Sequence, residues 1–150
     1  MAILIQKNDF DAGYQIKKIC AGNANIGGVC SFIGLVRESQ SRSIIKSMTL
    51  EHYPGMTEKQ LTKIEAEAHT RWPLEGSLII HRYGKLLPGE QIVLVVTAST
   101  HRKAAFESCE FLIDWLKTKA PFWKNEETSD GNQWVQARAS DDTSANRWQT

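Results

Sequence analysis

Leu78-Ile79-Ile80-His81-Arg82-Tyr83, then Gly84-Lys85-Leu86-Leu87-Pro88-Gly89-Glu90, then Ile92-Val93-Leu94-Val95-Val96-Thr97-Ala98, is the stretch that sets the fold class. Two apolar runs of strand length flank a turn rich in Gly and Pro, which predicts two strands and their connection. A longer helix follows from about Thr100 to Lys119, with Ala105, Cys109, Leu112 and Leu116 at helical spacing. Upstream, Pro54-Gly55 breaks the chain, and Thr57-Glu58-Lys59-Gln60 has the form of a capping box. It predicts a helix from Thr57 to Trp72, stopped by Pro73. Before it, Gly27 to Val36 and Ile44 to His52 alternate as strands and are placed to form a hairpin. Ala2 to Gln6 reads as an opening strand, Tyr14 to Cys20 as a short amphipathic piece, and Phe122 to Glu126 with Gln133 to Ala137 as closing strands. Strands interrupted by two helices give a two-layer α+β domain over residues 1–140, with 141–150 a polar C-terminal tail.

The length of 150 residues suits one domain, large enough to bury about two-thirds of its unfolded surface. Eighteen Lys and Arg against seventeen Asp and Glu leave a net charge of +1, so any anion site must be local and a bulk nucleic-acid binder is disfavoured. No apolar run approaches the ~20 residues that span a bilayer, and Met1 to Lys7 lacks the pattern of a signal peptide, so the expectation is a cytoplasmic chain without membrane attachment. Cys20, Cys30 and Cys109 are odd in number and widely spaced, which argues against a disulfide framework and a structural zinc site. Cys109 reads as buried packing. His52 and His81 have no partners at metal-ligand spacing, so no metal is assigned.

Chemistry concentrates in Leu116-Lys117-Thr118-Lys119-Ala120-Pro121-Phe122-Trp123-Lys124. Pro121 cannot continue a helix, so Lys117 and Lys119 fall on a last helical turn and Lys124 on non-helical chain beyond it. Two amines therefore approach from different backbone directions. Cations at a helix end also suit its negative dipole, and the residues alone leave both readings open. Arg37 ends a strand, while His101 and Arg102 open a helix where the dipole prefers anions. A bound anion would explain them, as ordinary surface exposure also would.

Five segments together resemble a known family: Ser31 to Arg37, Leu50 to Met56, Ile80 to Gly84, Ser99 to Arg102, and Leu116 to Lys124. Their order and spacing are similar to those of the large, catalytic subunit of molybdopterin synthase, over about Phe10 to Ala137. The resemblance implies an α/β-hammerhead fold with an additional antiparallel sheet. It implies conversion of cyclic pyranopterin monophosphate (precursor Z) to molybdopterin, with no cofactor required beyond pterin substrate and product. Two sulfurs would arrive as a thiocarboxylate on the C-terminus of a small ubiquitin-like carrier subunit, within a heterotetramer built on a homodimer of the large subunit. This chain has no Gly-Gly ending, in keeping with the acceptor's role.

By matching segments, the resemblance makes Lys117 and Lys124 catalytic. It gives substrate binding to Leu35, Val36, Arg37, His101, Arg102, Asn125 and Glu126 beside the two lysines, with Arg138 reaching the other protomer's site. Asn125 stands where the family commonly has a basic residue. Lysine suits the role, because desolvation and neighbouring cations bring its pKa toward neutrality. A different class of function, a noncatalytic module holding single-stranded RNA through the basic cluster and Trp123 and Trp134, is physically reasonable. Near-neutral charge and the lack of an RNA-binding motif argue against it.

Overall fold

The computed structural model describes residues 2–40, 43–135 and 139–149. In chain order its elements are β1 (Ala2–Gln6), α1 (Ala12–Cys20), β2 (Gly28–Leu35), β3 (Ser39–Gln40), β4 (Ser43–His52), α2 (Met56–Arg71) and β5 (Leu74–Arg82). β6 (Gly84–Leu86), β7 (Gln91–Ser99), α3 (Arg102–Thr118), β8 (Phe122–Thr128), β9 (Gly131–Val135) and α4 (Ala139–Asn146) follow. The class is α+β, as the sequence indicates.

The Leu78–Ala98 stretch supplies the centre of the first sheet. β5 and β7 pair antiparallel, with Ile80 opposite Leu94, and β1 joins β5 in parallel while β2 joins β7, giving the order β1-β5-β7-β2. Both runs are apolar on both faces because both faces are covered. Leu78, Ile80, Leu94 and Val96 pack with Phe10, Ile16 and Ile19 around α1. Ile79, Val93 and Val95 face Leu61, Ile64 and Ala68 of α2 and Cys109 and Leu112 of α3. The two-layer expectation is therefore corrected to helices on both sides of this sheet. Leu61, Ile79 and Leu112 are wholly buried, each stabilising the fold by about 1.5–3 kcal/mol relative to exposure. Cys109 lies 4.0 Å from the Val95 carbonyl oxygen as core packing.

The second sheet runs β3-β4-β8-β9, with β6 also paired to β4. The expected hairpin between β2 and β4 does not form: β2 pairs with β7, and β4 pairs with β8 and β6. Alternation marks each as a strand but does not specify its partner. β6 lies within the connection read as a simple turn. Leu50, Leu86 and Met48 from this sheet join the core beneath α2 and α3.

α2 starts one residue earlier than expected, and its cap differs. Gly55, at φ 87°, precedes the helix, and its amide donates to Glu58 Oε2 at 2.6 Å. Thr57 instead donates its hydroxyl to the Tyr53 carbonyl at 2.7 Å. The segment expected as a polar tail forms α4 and docks on α3. Arg147 pairs with Glu110 and with Asp114 at 2.9 Å, and Trp148 Nε1 donates to Asp114 at 2.7 Å. The Trp148 ring meets Trp72 and Phe111 edge-on, both at 5.6 Å. Among the described residues no helix is long and apolar enough to cross a membrane.

Candidate functional site

α3 ends as Pro121 requires. The Thr118 hydroxyl turns back to the Asp114 carbonyl at 2.8 Å, and the Lys119 amide closes the last turn on Trp115 at 2.8 Å. Lys119 is thus the cap and Lys117 the basic residue of the final turn. The chain reverses through Ala120 and Pro121 and enters β8, whose Lys124 pairs with Leu50 of β4 and Val135 of β9. Alternation along β8 puts Lys124 and Glu126 on one face and Trp123 and Asn125 on the other.

Lys117 and Lys124 line one cavity of about 230 Å³. Arg37 and Leu35 border it from the end of β2, Glu126 from β8 and Asp141 from α4, while Phe122, Val93, Ile113 and Leu116 give it apolar walls. Burial is the first cause that lowers the Lys124 ammonium from its ordinary 10.5 to about 8, and the neighbouring charge of Lys117 is the second. The carboxylates of Asp141 and Glu126 oppose that shift. An amine so tuned holds an anion near neutral pH and exchanges its proton readily.

His81, from β5, closes the cavity beneath the lysines. Its ring stacks on Phe122 with centroids 3.7 Å apart and planes within 13°. Nδ1 donates to the Arg82 carbonyl at 2.8 Å. Burial lowers its pKa from 6.5 to about 3, against the hydrogen bond to Arg82, with Lys124, Lys117 and His52 adding repulsion, so the imidazole is neutral. Next to it, Arg82 spans the first sheet's end, donating to the Lys7 and Gln91 carbonyls at 3.0 and 2.9 Å.

Of the residues assigned by resemblance, Leu35, Arg37, Lys117, Lys124 and Glu126 meet at this cavity. Val36 is buried beside them, its amide bonded to the Glu90 carbonyl at 3.0 Å and its carbonyl to the Gly89 amide at 2.8 Å, which fixes the end of β2. Asn125 lies on the opposite face of β8. His101 and Arg102 are exposed at the start of α3, and Arg102 is about 22 Å from Lys117 along the helix axis at 1.5 Å rise per residue. One chain does not bring them to the lysines. Arg138 lies outside the described residues.

Two ionisable cavity residues, Asp141 and His81, fall outside the sequence-based assignment. The polar-tail expectation hides Asp141, although Ala145 and Trp148 in the same segment are an apolar signal that it packs. Metal-ligand spacing alone does not single out His81; its position in an otherwise apolar strand is the sign of a buried polar group with a partner.

A model of the MoaE protein family matches residues 5–119. The molybdopterin synthase catalytic subunit of Pseudomonas aeruginosa is 52% identical over 149 residues, covering 99% of this chain and 99% of that protein. A solved molybdopterin biosynthesis MoaE protein from Burkholderia ambifaria aligns at TM-score 0.83 and 50% identity, over 100% of this chain and 99% of its own. Molybdopterin synthase from Staphylococcus aureus aligns at TM-score 0.79 and 32% identity, over 88% and 95%. A protein–protein complex of subunits 1 and 2 of molybdopterin-converting factor from Helicobacter pylori shares the fold at TM-score 0.73 and 24% identity, over 91% of each chain. By this match over most of its length, and by near-complete relatives at half identity, the chain belongs to the MoaE protein family.

Proposed function

We propose that the chain is the catalytic subunit of a molybdopterin synthase, a sulfurtransferase of molybdenum cofactor biosynthesis acting in the cytoplasm. Its substrate is cyclic pyranopterin monophosphate, and its sulfur donor is the thiocarboxylated C-terminus of a small ubiquitin-like carrier subunit. The observation that carries the reading is the convergence of Lys117 and Lys124, from a helix end and a strand, on one cavity with Arg37. The Helicobacter pylori complex, named for two subunits of molybdopterin-converting factor, supports a small-subunit partner.

In this reading the carrier's extended tail enters beside the Lys117–Lys124 segment, because a folded domain cannot enter a small-molecule cavity. The thiocarboxylate sulfur attacks a side-chain carbon of the pterin, and as the carbon–sulfur bond forms a carbon–oxygen bond at that carbon breaks, its oxygen leaving with a proton supplied by a lysine ammonium. Water then cleaves the acyl carbon–sulfur bond, leaving sulfur on the pterin and a carboxylate on the spent tail. Lys117 and Lys124 stabilise the developing negative charge and exchange protons, and Arg37 holds anionic groups. Two sulfurs require two carriers in succession.

His101 and Arg102 serve this chemistry from a second copy. At about 22 Å along α3 from Lys117, they contact the same substrate only if a homodimer brings one chain's helix start to the other chain's cavity. That dimer, with one small subunit at each cavity, gives the proposed heterotetramer. The test is reconstitution of the purified chain with thiocarboxylated carrier and precursor Z. The reading requires molybdopterin to form at two carriers consumed per pterin; no molybdopterin in a mixture with intact carrier would overturn it.

A further inference from the structure

His81 is polar, 5% exposed, and placed where the lysine cavity meets its apolar wall. Its Nδ1–H is committed to the Arg82 carbonyl at 2.8 Å, since a carbonyl can only accept. The neutral ring therefore carries a free lone pair on Nε2. No fully buried side-chain nitrogen or oxygen among the described residues lacks a partner, so Nε2, without a bond to protein, opens onto the cavity. Stacking on Phe122 at 3.7 Å fixes the ring plane and thus the direction of that lone pair.

Apart from Thr118, whose hydroxyl is spent on the Asp114 carbonyl at 2.8 Å, the other polar side chains described around the cavity carry charge: Lys117, Lys124 and Arg37 are donors, and Glu126 and Asp141 lie within electrostatic reach of Lys124. A neutral acceptor beside Phe122, Val93 and Ile92 suits a different part of a ligand, namely a flat heteroaromatic ring whose edge bears N–H donors. The geometry points to His81 as a specificity-determining residue, its Nε2 accepting a hydrogen bond from a ring N–H of the pterin while the lysines hold the anionic end. This rests on the proposed function for the identity of the pterin, and adds the residue that reads its edge. The acceptor works throughout the neutral pH range, because burial and the Lys124 and Lys117 charges keep the ring unprotonated.

Two substitutions separate this role from packing. In His81→Gln the amide oxygen replaces Nε2 at similar reach; in His81→Asn the amide can still donate to the Arg82 carbonyl, but no acceptor extends into the cavity. Binding of cyclic pyranopterin monophosphate is measured by calorimetry for the wild-type chain and both variants, alongside their melting temperatures. The ¹⁵N resonance of His81 Nε2 is followed in the wild type as the pterin is added. The expected result is an affinity within about threefold of wild type for Gln, a loss of about tenfold or more for Asn, as for one hydrogen bond, and an Nε2 shift on binding. Wild-type binding with equal affinity in both variants, or an Nε2 resonance that the pterin leaves unmoved, overturns the assignment of His81 alone. A wild-type chain that does not bind the pterin overturns the proposed function and this inference with it.

Discussion

Lys117 and Lys124 reach the same cavity from opposite sides of Pro121, one on the last turn of α3 and the other on β8. The helix break is what permits it, since on a continued helix the two, seven residues apart, would point the same way from one face about 10.5 Å apart instead of converging. Burial first, and then the Lys117 charge, lowers the tendency of Lys124 to stay protonated.

That coupling has opposite consequences for two neighbours. Removing the Lys117 charge with Lys117→Gln takes away a repulsion, so the Lys124 pKa rises above about 8. Asp141→Asn removes an attraction, so the same pKa falls. NMR titration of labelled lysine side chains measures both, and shifts of the same sign would show that the cavity charges are arranged otherwise.

The proposed sharing of one site between two chains makes a distinctive prediction for mixed dimers. Lys124→Ala and Arg102→Ala are each expected to impair sulfur transfer, the latter by weakening precursor Z by about 1–3 kcal/mol for a lost charged contact. Co-refolded heterodimers of the two variants contain one cavity with its lysine intact and Arg102 supplied by the other chain. Activity recovers if the contact is made between chains and does not if it is made within one.

Glu65 lies buried on α2, accepting from Ser77 Oγ at 2.6 Å and from the Ala2 amide at 3.0 Å. Burial raises its pKa, outweighing these hydrogen bonds. The folded chain thus holds the proton more tightly than the unfolded one. Its contribution to stability is complete below the ordinary 4.5 and is lost as pH rises through the folded-state value. Glu65→Gln removes that dependence, so urea unfolding of variant and wild type should diverge with rising pH, the variant gaining. Parallel pH curves would contradict the assignment.

Trp148 holds α4 against α3 through Trp72, Phe111 and Asp114. Trp148→Ala is expected to cost about 1–3 kcal/mol in denaturant unfolding, from two lost ring contacts and one hydrogen bond. An unchanged midpoint would mean that α4 is not anchored this way.

Much of the architecture is legible where local chemistry decides it. The all-apolar runs of β5 and β7, the Pro121 stop and the Pro54-Gly55 break each locate an element to within a few residues. Pairing is not local: nothing in the alternation of β2 says that its partner is Val93–Ser99 rather than β4. The site divides the same way. Lys117 and Lys124 are marked by the proline between them, whereas Asp141 enters the cavity only because Arg147 and Trp148, further along, grip Asp114. His101 and Arg102 show the converse: the resemblance groups them with the lysines, while within one chain they sit at the far end of α3.

Single-turnover formation of molybdopterin from precursor Z and thiocarboxylated carrier reads out the sulfur transfer proposed for the lysine cavity. Lys117→Ala and Lys124→Ala, folded as judged by circular dichroism, should each slow that turnover by at least ~100-fold, as for loss of a positioned acid–base group. Near-wild-type turnover in both variants would place the chemistry outside this cavity.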